Sequence, residues 1–279
     1  MTKRIAFQGE LGAYGHQACV TVRPDHEPVP CVTFDDTIAA VQSGAADLCV
    51  VPVENTTYGR VADIHRLLPE SGLNIIAETF VKVEINLLGV PGSTLDQVTH
   101  AKGHAVILPQ CGTFLREYGI SGVVSSDNAR AAREVAEAGD PTVAALASSL
   151  AGEIYQLDTL ASRIEDHHNN TTRFLLLAPE PDMSRRADKM MTTFVFQVRN
   201  IPAALYKAMG GFATNAINMT KLESYMVGGH FTATQFYSDV EGHPDDKSLR
   251  LALEELGFFT SMVKVLGTYP ADPERDNRD

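Results

Sequence analysis

No stretch of the 279 residues approaches the roughly 18 consecutive apolar positions a membrane-spanning helix needs, so none is expected. Positive charge is scarce. With 23 Lys and Arg against 35 Asp and Glu, the net charge is −12, which argues against the basic face that nucleic-acid binding requires. Cysteine is sparse as well. Cys19, Cys31, Cys49 and Cys111 show no CxxC spacing, which argues against disulfides and a structural zinc and leaves reduced core thiols. The start, Met1 to Gln8, has too short an apolar run for a signal peptide, and the expected location is the cytoplasm. The glycine turn Gln8–Gly15 lacks both the dinucleotide fingerprint and the lysine of a P-loop. Asp166-His167-His168 lacks the convergent further ligands of a metal site, because neighbouring histidines point apart on an extended chain.

What is present is a core and a rhythm. Hydrophobic residues make up 44% of the chain, enough for one large or two modest domains. Arg4–Phe7, Val29–Phe34 and the valine-rich Asp47–Val53 read as strands, alternating with helices over Gly12–Val22, Asp35–Gln42 and Gly59–Leu68. Asp35 and Asp36 are read as caps of the second helix, and Thr57 as the cap of the third. Such alternation is the βαβ rhythm of a mostly parallel sheet. Ile75–Val90 is extended. Beyond Gly92, strands near Ala101, Val123 and Thr142–Ala145 alternate with helices over Pro109–Tyr118, Asn128–Ala138 and Ser148–Tyr155.

Pro179–Lys189, with little to bury, reads as a linker. Strand Met191–Arg199, helix Ala203–Ala213, strands Ile217–Met226 and His230–Asp239 joined through Gly228-Gly229, helix Pro244–Leu256 and strand Met262–Gly267 follow. This βαββαβ order is the ferredoxin-like plan. Residues 271–279 read as a disordered tail.

Ile164 to Phe174 is the most informative stretch. Its polar first half feeds directly into the apolar Phe174–Ala178, placing polar side chains at the mouth of a core strand, where α/β sheets bind ligands. Strand alternation puts Thr172 and Phe174 on one side and Arg173 on the other, unless the strand starts at about Arg173. Glu54-Asn55-Thr56-Thr57 likewise ends the third strand with consecutive hydrogen-bonding groups. Gln8–Gly15 follows a strand and opens a helix, where free backbone N–H groups could hold an anion.

The Thr172-Arg173-Phe174 tripeptide resembles the signature of prephenate dehydratases. Ala6-Phe7-Gln8-Gly9-Glu10 with Gly12-Ala13-Tyr14 resembles that family's N-terminal block, and Pro52–Val61 its Glu-Asn-Ser block. Gly210–Asn215 and Ile217–Ser224 resemble its regulatory ACT domain. His104, Gln110 and Cys111 match a further block. Departures are Gly15 and Thr56, where the family commonly has serine, Ala203-Ala204-Leu205 for its Gly-Ala-Leu, and Tyr225-Met226 after Glu223-Ser224 for its Arg-Pro. The resemblance runs from about residue 4 to about residue 270.

It implies a catalytic domain over 1–180 of two lobes, like a periplasmic binding protein, and an ACT domain over 190–270. The second lobe would be built by about 81–156, with crossing strands near Ile75–Phe80 and Leu157–Ile164. It implies conversion of prephenate to phenylpyruvate, water and carbon dioxide in phenylalanine synthesis, with no cofactor and no metal. Thr172 would be the donor at the leaving hydroxyl. Arg173 and Asn55 would hold substrate oxygens, Phe174 would shape the wall, and Gly9, Glu54, Thr56, His104 and Asn170 would bind substrate. L-Phenylalanine would bind Ala203, Ala204, Leu205, Asn215, Asn218, Met219, Glu223 and Ser224 as feedback inhibitor, in a homodimer or homotetramer. Two other readings are an arogenate dehydratase and a non-catalytic ligand sensor on the same fold.

Overall fold

The computed structural model describes residues 2–199, 201–226 and 233–278. Strand β1 (Arg4–Gln8) leads into helix α1 (Tyr14–Val22), β2 (Glu27–Cys31), α2 (Phe34–Gln42), β3 (Leu48–Asn55) and the short β4 (Gly59–Arg60). Helix α3 (Ala62–Leu67) precedes the long β5 (Asn74–Lys82) and β6 (Asn86–Gly89). Then come β7 (His100–His104), α4 (Gly112–Glu117), β8 (Ser121–Ser125), α5 (Asn128–Ala138), β9 (Val143–Ala147), α6 (Ser149–Tyr155), β10 (Asp158–Ala161) and β11 (Thr171–Ala178). The last part is β12 (Met190–Val198), α7 (Ala204–Thr214), β13 (Met219–Met226), β14 (Ala233–Glu241), α8 (Lys247–Phe259) and β15 (Thr260–Pro270).

These elements fall into two units. One holds Met1–Val61 and Thr79–Phe174, the other Ala62–Glu78 and Leu175–Asp279. The division differs from a single cut at the 179–189 linker, because the second unit also takes an early segment.

The first unit carries two sheets. In one, β1 pairs in parallel with β2 and β3, and β11 lies between β3 and β5. The other has the order β10-β6-β9-β7-β8. Its core includes Ile85, Leu87, Ala101, Cys111, Ala144 and Leu146, all fully buried. Each of the large aliphatic side chains contributes about 2 kcal/mol by leaving water. Because β10 pairs antiparallel with β6, residues 158–161 still belong to this second sheet. The return crossing is therefore later than Leu157–Ile164. It runs through 164–170, bonded to 83–85 by Ile164 N–H to Ile85 O and Val83 N–H to Asn170 O, each 2.9 Å.

Local chemistry sets the helix ends. Thr33, not Asp35, caps α2. Its hydroxyl accepts from Asp36 N while the Asp36 carboxylate reaches back to Thr33 N, a capping box. Asp127 caps α5 by accepting from Ala129 N and Arg130 N, and Gly139 ends it in the left-handed region. The third helix starts at Ala62 rather than Gly59, and Thr57 does not cap it. Gly59–Arg60 instead folds back on Glu54 and Asn55 as a strand.

In the second unit β12 pairs antiparallel with β14 and β15, and β14 with β13. The Gly228-Gly229 turn lies outside the described residues. Phe194 stacks on Phe212 at 5.7 Å and Phe196 on Phe236 at 5.2 Å, in a core shared with Leu249, Ala252 and Leu256. Gly211 lets α7 approach α8, since a Cβ there would lie 2.8 Å from Glu255 Cβ.

Two features of this unit depart from the sequence reading. The tail beyond Ala271 is not without structure: Pro273–Arg278 forms a 3-10 helix. Arg275 pairs there with the buried Glu78 carboxylate, whose Oε1 also accepts from Asp272 N. A buried carboxylate needs such a partner, and that need outweighs the segment's polarity. In addition, α7 starts at Ala204, with Ala203 in the left-handed region at φ 61°. A Cβ is unfavourable in that conformation, so Ala203→Gly is expected to stabilise the protein by about 1 kcal/mol. A melting temperature raised by about 2 °C would register this; a lowered one would contradict it.

Candidate active site

The apolar run of β11 is buried because it lies between two other strands. Its first residues project polar side chains from the sheet edge. A cavity of about 300 Å³ opens there, lined by Tyr14, Asn55, Tyr58, Val61, Val83, His104, Val106, Ile107, Gln110, Asn128, Asn170 and Thr172. A second cavity of about 160 Å³ shares Tyr14 and is lined by Gln8, Ala13, Gly15, Val50, Pro52, Asp127 and Phe174. Since β11 begins at Thr171, alternation holds. Thr172 and Phe174 face cavities, while Arg173 turns away into the protein.

Asn55 organises the larger cavity. Its Oδ1 accepts from Thr57 N at 2.9 Å and Tyr58 N at 3.0 Å, closing an Asx turn at the end of β3. With the oxygen committed, Nδ2 donates to Asn170 Oδ1 at 2.7 Å and to Thr172 Oγ1 at 2.9 Å. Asn170 Nδ2 donates in turn to Gln110 Oε1 at 2.6 Å, and Gln110 Nε2 to Val106 O and Tyr58 OH. The chain of amides has one consistent direction and delivers one donor to Thr172. Because Thr172 Oγ1 accepts there, its own hydrogen is free to donate into the cavity; it has no acceptor among the described residues. Accepting a hydrogen bond makes a hydroxyl a better donor.

The other expected site residues divide. His104 lines the cavity. Its Nδ1 accepts from Val106 N at 3.3 Å, which leaves the ring proton on Nε2. Arg173 is 2% exposed and does not line either cavity. Its guanidinium donates to Glu54 Oε1 at 2.8 Å, an ion pair between a buried arginine and a half-buried carboxylate. Thr56 is also structural: its hydroxyl donates to Asn169 O at 2.7 Å and accepts from Thr171 N at 2.9 Å, stapling the two site strands. Gly9 adopts φ 119° and lies against Asp127, not against open cavity.

Three N–H groups of the glycine turn, all ahead of the first turn of α1, are already committed. Gly9 N–H goes to Cys31 O, Ala13 N–H to Glu10 O and Gly12 N–H to His16 Nδ1. The turn closes on itself and packs across the unit. Ser148 Oγ donates to Gly12 O, Tyr155 to Leu11 O, and Arg130 and Arg133 both reach Glu10 Oε1. Asp166, expected beside two histidines, accepts from Thr113 N, and His168 pairs with Glu165.

His16 must stay neutral to accept from Gly12, and burial lowers its pKa below the ordinary 6.5. A depressed histidine contributes stability that is present above the unfolded value and lost as pH falls below it. Melting temperature should therefore drop between about pH 7 and about pH 5.5. His16→Asn, which keeps an acceptor that does not titrate, should flatten that slope. An equal slope in the variant would contradict the assignment.

Tyr14, Tyr58, Gln110, Asn128 and Asp127 line the cavities without having been singled out for a role. Asp127-Asn128 reads in sequence as an ordinary helix start, and that capping signal masks a second use. The regulatory set is also rearranged. Ala203, Ala204 and Leu205 start α7, whereas Asn215 is at its far end, about 16 Å away for 11 residues. A single phenylalanine cannot span both ends within one chain. Asn215 Nδ2 is already bonded to Gly211 O and Glu255. Asn218 is exposed and its carbonyl accepts from Glu241 N. Met219 packs on the core, Glu223 pairs with Lys221, and Ser224 is exposed on β13.

Among the described residues, no group of His, Cys, Asp or Glu could hold a metal ion, and no helix is long and apolar enough to cross a membrane. The four cysteines are free, and burial pushes the Cys111 thiol up to about 12.

A family model described as prephenate dehydratase matches residues 5–182. A protein of Komagataeibacter europaeus, named a bifunctional N-acyl-homoserine lactone acylase/prephenate dehydratase, is 48% identical over 97% of each chain. The Arabidopsis thaliana chloroplastic protein named arogenate dehydratase/prephenate dehydratase 1 is 36% identical over 96% of this chain and 72% of its own length. The solved structure of prephenate dehydratase from Arthrobacter aurescens, in complex with L-Phe, superposes with a TM-score of 0.88 at 27% identity. It covers 98% of this chain and 91% of the other.

Proposed function

The chain belongs to the prephenate dehydratase family, a family of lyases, and from that premise we propose that it converts prephenate to phenylpyruvate in L-phenylalanine synthesis. The observation that carries this is the Thr172 hydroxyl, which accepts from Asn55 and has its own hydrogen to give. In the reaction the bond to the ring carboxylate breaks and carbon dioxide leaves. That electron pair completes the aromatic ring. The C–O bond of the ring hydroxyl breaks with its pair on oxygen, which takes up one proton from solvent and departs as water. Negative charge develops on that oxygen, and a fixed donor there lowers the barrier. Thr172 supplies it, and the amide chain keeps it aimed. Threonine is a weak acid, so the contribution is a strengthening hydrogen bond rather than full proton transfer. His104 Nε2 and the Asn128 amide face the same space and suit a carboxylate.

Prephenate incubated with the enzyme should give the base-shifted absorbance of phenylpyruvate enolate. No signal at micromolar enzyme, together with no phenylalanine formed from arogenate, would remove the reading and leave a ligand sensor. The Komagataeibacter relative motivates a second reading, amide hydrolysis of N-acyl-homoserine lactones. Acyl transfer needs a nucleophile bonded to a base. Thr172 Oγ1 meets only an amide N–H, so the geometry favours elimination. Release of homoserine lactone from an acylated probe would reverse that ranking.

Residues 1–180 are proposed as the catalytic domain and 190–270 as an ACT regulatory domain that binds L-phenylalanine. The βαββαβ order of β12 to β15 and the L-Phe complex of the Arthrobacter relative support this. A homodimer or dimer of dimers follows from the same reading, since symmetric pairing is the common route to oligomers. Calorimetry with millimolar phenylalanine and light scattering test the two points. No heat with unchanged activity would refute the first, and a monomer the second.

A further inference from the structure

The smaller cavity carries a carboxylate oxygen that no part of the dehydration described above uses. Asp127 Oδ1 is committed to capping α5, with Ala129 N at 2.8 Å and Arg130 N at 3.0 Å. Its Oδ2 makes no hydrogen bond or ion pair among the described residues and lies beside Gly9, 3.7 Å from where a Cβ would stand. Gly9 thus leaves that oxygen open. Gln8, on the same wall, directs its Nε2 to Val32 O at 3.5 Å, which leaves Oε1 as a second acceptor. No lysine, arginine or histidine lines this cavity. Burial raises the Asp127 pKa, the Arg130 and Ala129 N–H groups oppose it, and the more distant Glu10 and His104 act in opposite directions.

The spacing fits a ligand that bridges the two cavities. Thr172 and Phe174 are two residues apart on β11, about 7 Å. In a cyclohexadienol acid of the prephenate type, the side-chain α-carbon lies on the order of 6 Å from the ring hydroxyl oxygen, by ordinary bond lengths. The larger cavity holds both Thr172 and Asn128, the smaller one Asp127 and Phe174, and Tyr14 lines both, so a ligand with its hydroxyl at Thr172 would direct its side chain toward the Asp127-Asn128 wall. An α-amino acid presents two groups there. Its carboxylate suits the Asn128 amide, and its ammonium suits Asp127 Oδ2 and Gln8 Oε1. A keto acid offers only a carbonyl oxygen, an acceptor facing acceptors.

We propose that Asp127 is a specificity-determining residue that selects the ammonium of arogenate over the keto group of prephenate. This rests on the dehydratase reading and deepens it: the preferred substrate carries an amino side chain. The test is kcat/KM on arogenate and on prephenate for the wild type and for Asp127→Asn, which retains an N-cap. The expected result is a fall of at least about tenfold in the arogenate-to-prephenate ratio, about 1.4 kcal/mol, expressed mainly as a raised KM for arogenate. Prephenate turnover should hold or improve. Asp127→Ser, also a capping residue, should show the same shift, and equal melting temperatures exclude a folding defect. An unchanged ratio, or equal losses on both substrates, overturns the proposal. So does a wild type active on prephenate and inert on arogenate, which leaves the dehydratase reading standing. A wild type inert on both sinks that reading as well.

Discussion

Replacing Thr172 by alanine is expected to lower kcat on prephenate by about 10²-fold, with KM changed much less. The reason lies in when the hydrogen bond is made. The ring hydroxyl is neutral in the bound substrate and gains charge only as it departs, so its bond to Thr172 strengthens in the transition state and contributes to kcat. The variant should leave the surroundings in place. Asn55 remains held through Oδ1 by Thr57 and Tyr58, and Nδ2 still has Asn170. Thr172→Ser keeps the hydroxyl and should retain partial activity. A folded Thr172→Ala protein with near-normal kcat would remove this residue from the mechanism.

The largest expected loss of stability comes from Gly267→Ala. Gly267 in β15 pairs in parallel with Ile75 in β5. A Cβ at 267 would lie 2.1 Å from Ile75 O and 2.6 Å from Ile75 Cβ. Neither neighbour is the far end of a flexible side chain, so the strands must part. Both flanks are buried, and the cost should be about 3 kcal/mol or more, at the upper end for overpacking. Chemical denaturation of both proteins measures it. A change below about 0.5 kcal/mol, the size of a neutral surface substitution, would show that β15 and β5 are not so closely joined.

Much of the site was legible because it rests on local chemistry. A polar segment entering an apolar strand placed Thr172 and Phe174 on one side and Arg173 on the other, and β11 follows that alternation. Asn55 at the end of β3 stood where a sheet offers its polar groups. The misreadings share a cause. Each depends on a partner far away in the chain. Arg173 is drawn to Glu54 and Thr56 to Asn169, so residues that look like ligand contacts hold the frame instead. Arg275 finds Glu78 some 197 residues away, which composition cannot show. The helix from Asn128 was legible, but that Asp127 caps it and also lines a cavity depends on which wall the helix start abuts. The residues expected to hold phenylalanine around α7 do not meet within one chain, since motif order ignores the rise of the helix between two matching blocks.

Neither structural unit is an unbroken piece of chain, and this governs how the protein can be made and divided. Residues 62–78 emerge from the ribosome well before their companions Gly267 and Arg275, the latter 197 residues beyond Glu78. At about 5–20 residues per second, Ile75 waits on the order of ten seconds or more for its neighbour in β15. Expressing 190–270 by itself would omit Ile75 and Glu78 together with Arg275. A useful excised module would instead graft 62–78 ahead of 175–279 through a designed connection, and the early segment, held without its strand partner in the interim, is where a chaperone would be expected to engage the nascent chain.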